Sequence, residues 1–218
     1  MRTNKFTLTI TAAFITAMVL AVGLAATLAH GSTRVASHSS NQNALDTVRG
    51  ATGRYHSLTV AQASGYALLK AKAGIACIDN PGVGAMGVHY VNGTLANSGQ
   101  VNPLKPQALV YEPAANGQLN LVAVEYVTFQ QQWDATHGAP PMLFGQPFML
   151  TPDGNRFGLP AFYSLHAWIW QDNPTGTFSM WNPQVSCDAA SVEAPWHAAA
   201  PTPATSGTSP ALPARGPR

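Results

Sequence analysis

Charge is scarce in this chain: eleven Lys and Arg and nine Asp and Glu make up 9% of 218 residues. Arg2 and Lys5 stand at the extreme amino terminus, so without that end the balance is nine basic residues (11 − 2) against nine acidic ones. Phosphate recognition needs a clustered excess of Lys and Arg, and this composition argues against a nucleic-acid partner. Cysteine is limited to Cys77 and Cys187. Also missing are a Gly-x-Ser-x-Gly elbow, a phosphate-binding glycine loop, a dinucleotide fingerprint and the short HExxH metal motif. Serine-hydrolase, nucleotide and zincin chemistry therefore have no local signature, and no internal repeat is visible.

What is present begins with an export signal. Arg2 and Lys5 precede an uncharged apolar run over 8–29, followed by small and polar residues. That is the layout of a secretory signal, although the run exceeds the usual ~7–15 residues and is long enough to cross a bilayer. Residues 1–31 are read as a signal peptide, with Ala29 and Gly31 placed for cleavage, or as an uncleaved anchor. No Cys follows to take a lipid. Residues 32–40 form a linker, 41–188 a single extracytoplasmic domain of ordinary size, and 189–218 an Ala, Pro, Ser and Thr tail too poor in apolar surface to fold. A monomer is expected, touching a membrane only through its amino-terminal segment.

In an exported chain, two cysteines near opposite ends of a domain point to a disulfide. Cys77 and Cys187 are assigned to one, which leaves no thiol for a Cys-His nucleophile.

Helical spacing of Ala44, Val48, Ala51 and Tyr55 predicts a helix over 43–55, and Ser57 can cap a second helix ended by Gly65. A strand is expected over 66–72, a turn-rich connection over 74–86, and a strand over 86–91 closed by an Asn92-Gly93 turn. Apolar segments over 108–111 and 119–129 flank Asn116-Gly117, a strong hairpin signal. A helical turn over 130–136, an irregular loop over 140–153 and a long aromatic strand over 161–171 complete the pattern. Helices at the amino end packed on a mainly antiparallel sheet with long loops make the class α+β.

Five blocks occur in order: GAMGVHYVN from Gly84, LVAVEY from Leu121, LFGQPF from Leu143, LHAWIWQDNPTGTF from Leu165, and WNPQVSC ending at Cys187. Together with ATGRYHS from Ala51 they span the domain. The set resembles a family of exported bacterial proteins of unknown function, found in actinobacteria among others. That resemblance implies no activity, so chemistry has to be read from the residues.

Glu125 is the odd residue. It interrupts the apolar segment 121–127 and shares a strand face with Leu121, Ala123 and Val127. Burying a carboxylate uncompensated costs several kcal/mol, so it should lie at a strand end, be protonated, pair with a cation or bind a metal. His89 and His166 also sit in strand segments beside apolar residues. We expect His89, Glu125 and His166 to form a site for zinc, copper or iron, with His56 as a further ligand and an open position for water or substrate. In a catalytic site Glu125 could instead be the base. The plainer alternative is that each imidazole is hydrogen-bonded within the core.

A second reading uses Trp168 and Trp170, placed on one strand face with Phe162 and His166, plus Trp181 after the turn. Exposed, they would be a platform for a sugar ring or a cell-envelope component; buried, they are core. Asp79, Glu112, Asp134, Asp153 and Asp172 lie near expected turns, where carboxylates are ordinarily solvated or bonded to backbone.

Overall fold

A computed structural model describes residues 40–190. The signal or anchor segment, the linker before residue 40 and the tail beyond residue 190 lie outside the described residues. The chain divides into two compact units, Met1–Ala51 and Thr52–Arg218. In the first, the described residues are helical (α1, 40–52), with Arg49 paired to Asp46 one turn earlier.

The second unit starts with a 3-10 turn, Gly53–His56, and α2, Leu58–Ala63. Ser57 caps α2 by accepting the Val60 amide, and Gly65 leaves it at a φ of +89°, a conformation that favours glycine. The remaining elements are β1 (Tyr66–Leu68), β2 (Cys77–Asn80), β3 (Gly84–Asn92), α3 (Gly93–Ala96), β4 (Ala108–Pro113), β5 (Leu119–Phe129), α4 (Gln130–Asp134), β6 (Met142–Leu143), β7 (Gln146–Pro147), β8 (Met149–Thr151) and β9 (Phe162–Ala167). Seven strands build one sheet in the order β1-β3-β4-β5-β9-β8, with β2 also on β3, and every pairing is antiparallel. The class is α+β, and the hairpin around Asn116-Gly117 forms its centre.

Several local expectations need correction. The strand ends at Asn92 as expected, but in a helix rather than a turn: the Asn92 side chain accepts the Leu95 amide and caps α3. The connection over 74–86 contains β2, and the loop over 140–153 contains β6, β7 and β8, which rest on cross-strand pairing that local composition does not announce. The aromatic strand ends at Ala167 rather than 171: the Trp168 amide bonds Thr177, and the Trp170 and Gln171 amides both bond Val122.

Cys77 and Cys187 are joined, closing a separation of 110 residues. The same carboxy-terminal segment is clipped to β3 by the Ala85–Asn182 bridge and to β4 by the Ser186 amide on Glu112. Gly84 is required there, since a Cβ would come within 2.4 Å of the Asn182 carbonyl oxygen.

One sheet face carries Tyr90, Tyr111 and Tyr126, each fully buried. The Tyr111 hydroxyl donates to the Tyr55 carbonyl and that of Tyr126 to the Pro103 carbonyl, so these two polar tips of the core layer are satisfied. The opposite face carries the site.

Candidate metal centre

Strand register gathers the site. Val91 pairs with Ala108, Ala108 with Glu125 and Glu125 with His166, a row that crosses β3, β4, β5 and β9. Paired residues in antiparallel strands share a face, and residues two apart along a strand do too. His89, two positions before Val91, therefore stands on the same face as Glu125 and His166. β4 lies between β3 and β5, and the residues it presents on this face are Val110, opposite His89, and the small Ala108, opposite Glu125. The long side chains of His89 and Glu125 meet across that strand.

The three residues are almost completely buried, at 3% exposure for His89, 7% for Glu125 and 3% for His166. The two Nε2 atoms of the imidazoles are 3.4 Å apart. Glu125 Oε2 lies 3.5 Å from His89 Nε2, and Oε1 lies 3.6 Å from His166 Nδ1. Taking one donor atom per residue, all three fall within 4.8 Å of one another. Good N–H···O hydrogen bonds are ~2.7–3.2 Å, so the imidazole–carboxylate separations are too long for a tight hydrogen-bonded triad. With ligand bonds of ~2.0–2.1 Å a tetrahedral ion spaces its donors by about 3.4 Å, near the 3.4 and 3.5 Å that separate His89 Nε2 from His166 Nε2 and from Glu125 Oε2, while the His166–Glu125 contact is made by the other ring nitrogen.

Electrostatics point the same way. Burial lowers His89 from its ordinary 6.5 to about 4, against an opposing pull from Glu125. Burial likewise lowers His166 to about 4. Both rings are neutral near pH 7, the form that ligates metals. Burial pushes the Glu125 carboxyl above its ordinary range, and His89 and a hydrogen bond from Ser164 only partly offset this. Among the described residues, the ion-pair contacts of this carboxylate are the two imidazoles, with no Lys or Arg beside it. His89 Nδ1 is buried and has no hydrogen bond of good geometry, although the Gly87 backbone is near enough to the ring to favour its charged form.

The cluster lines part of a cavity of about 190 Å³. Its walls are apolar, with Val91 of β3, Val127 and Phe129 of β5, and Phe157 and Met180 from loops. These side chains are only partly buried, as expected of a wall that faces a hollow.

Other expected site residues go elsewhere. His56 is not in the cluster; it is exposed at the end of its 3-10 turn, with its ring 4.4 Å from that of Trp170 in an edge contact. Trp168 is core, 3% exposed, its indole donating to the Ser179 carbonyl and its ring stacked at 5.9 Å on His166. Trp170 and Trp181 are half-buried, so the three rings do not make an exposed row. Two of the five turn acids accept a backbone amide, Glu112 from Ser186 and Asp153 from Ala161, and Asp134 accepts the Tyr163 hydroxyl. Two contributors were missed. Ser164 was findable from the period of two before His166, whereas Ala108 has no signal until the register is known.

No family model, no curated protein and no solved structure matches the chain.

Proposed function

We propose that this chain is an exported protein that binds one transition-metal ion through His89, Glu125 and His166. The observation that carries this reading is the convergence of two neutral imidazoles and one carboxylate, one donor atom of each within 4.8 Å of the others, in a buried place without a Lys or Arg. An unpaired buried carboxylate costs several kcal/mol, and a cation at the centre removes that cost while satisfying all three donors. Two nitrogens and one oxygen with no thiolate suit zinc or non-haem iron, with copper the remaining choice. Three protein ligands leave a coordination position free, and the apolar cavity gives it somewhere to face. A metal there would polarise a bound oxygen or lower the pKa of a bound water.

Export rests on the basic residues and apolar run at the amino terminus and accords with the disulfide, which implies an oxidising compartment. Elemental analysis of the full chain, purified without chelator, tests the metal reading. About one equivalent of zinc, iron or copper is expected per wild-type chain, with nearly all of it lost in His166→Ala. Equal metal content in the two proteins would count against the site.

A further inference from the structure

The cavity beside the three ligands has a chemistry of its own. Of its polar lining residues, His89, Glu125, His166 and Ser164 belong to the cluster and Asn97 and Thr151 stand apart from it, and the remaining lining is apolar or glycine. No Lys, Arg or Asp lines it, so Glu125 is its sole charged group. A divalent ion held by Glu125 and two neutral imidazoles carries a net charge of +1. That charge is buried, and the low-dielectric walls offer no counter-ion. A cavity of about 190 Å³ is somewhat larger than a ~150 Å³ hollow known to hold benzene.

We propose that the cavity receives a small monoanionic organic molecule, an aromatic-ring-sized apolar body with one carboxylate that occupies the open coordination position. The proposal rests on the metal reading and deepens it: the ion supplies the attraction for the anion, and the walls select the apolar body. Charge and shape act together. Acetate carries the head group without the body, and benzyl alcohol carries the body without the charge, so each satisfies only half of the site.

The test uses the full chain loaded with Co²⁺, whose visible absorption reports its ligands, titrated with benzoate, acetate and benzyl alcohol. Benzoate is expected to change the cobalt spectrum saturably, binding at least about tenfold more tightly than either half-molecule. Met180→Trp, in a loop without metal ligands, narrows the cavity and is expected to weaken benzoate by at least about tenfold while the cobalt stays bound. Leu159→Trp, in a different loop lining the same cavity, makes the same check should the first variant fail to fold. Bound cobalt indifferent to benzoate overturns the proposal and leaves the metal reading standing. Benzoate no tighter than acetate, or unaffected by filling the cavity, overturns it as well. A chain that takes up no cobalt, zinc, copper or iron overturns both.

Discussion

At the scale of single residues, Glu125 sets the terms. Without an ion, its buried carboxyl is a cost, because burial raises its proton affinity and the nearby imidazoles are kept neutral. Removing such a group without changing its shape should therefore help the apo protein. Glu125→Gln, stripped of metal, is expected to be more stable than the stripped wild type at pH 7.5 by about 1–3 kcal/mol. In thermal denaturation that is a rise of a few degrees, at ~2–4 °C per kcal/mol for a chain of this size. The same variant should gain nothing from added metal. A fall in apo stability would instead mark Glu125 as a structural hydrogen-bonding partner.

The variant also isolates the histidines. Between an ordinary value of 6.5 and a folded value of about 4, the unfolded chain takes up protons that folded His89 and His166 refuse. Stability therefore falls as pH drops from about 6.5 to about 4, then levels off in this respect. Glu125 acts oppositely in the wild type: its raised folded affinity means that its contribution is lost as pH rises above the ordinary 4.5. Chemical denaturation of apo Glu125→Gln across pH 4–7 should show the histidine slope without the opposing contribution of Glu125, and with His89 lowered further by the loss of the carboxylate's pull. A flat profile would mean that the imidazoles titrate normally.

Among the secondary-structure elements, the central requirement is that β4 stays out of the way. Glu125 and His89 belong to strands that are not neighbours, and Ala108 is the residue of β4 in the row between Val91 and Glu125. A larger side chain there would occupy the space through which the carboxylate reaches. Ala108→Val is expected to weaken metal binding by more than tenfold, at an overpacking cost of ~1–3 kcal/mol. Metal titration followed by calorimetry checks the first effect and thermal unfolding the second. Unchanged affinity in a folded variant would refute the crossing geometry.

The same elements show what the sequence could and could not disclose. Glu125 was legible because a carboxylate in an apolar strand contradicts its surroundings, and His89 and His166 because they stood in strand segments of similar kind. Their meeting was not legible. It depends on strand order, on the register of β3, β4, β5 and β9, and on the bulge that makes Met86 an extra residue opposite β2. Gly87 sits at this irregularity with φ +98°, and a Cβ there would come within 2.5 Å of the Tyr111 carbonyl oxygen. The tryptophans misled for a related reason, whereas His56 stands in a 3-10 turn outside the sheet. Residue type suggested a role, but the chain leaves the sheet after Ala167, and period-two reasoning fails beyond that point.

On the scale of the whole molecule, the disulfide and the sheet do different work. The sheet places the three ligands, whereas the Cys77–Cys187 link fixes the carboxy-terminal segment to β2, where Cys77 pairs with Val88 next to His89. Closing a loop of 110 residues stabilises the fold by ~4–5 kcal/mol in the chain-entropy model. Cys77→Ser with Cys187→Ser should therefore lower stability by up to that amount, measured by denaturant unfolding, while the folded fraction keeps its metal. Loss of the metal from a protein that remains folded would show that the link also shapes the site.

The most direct measurement is X-ray absorption spectroscopy of the metal in the purified, metal-loaded protein. The account predicts a first shell of nitrogen and oxygen at ~2.0–2.1 Å with the outer-shell scattering of two imidazoles, a signal that disappears with the metal in His89→Ala. A spectrum with no imidazole contribution, or one unaltered by that substitution, would contradict it.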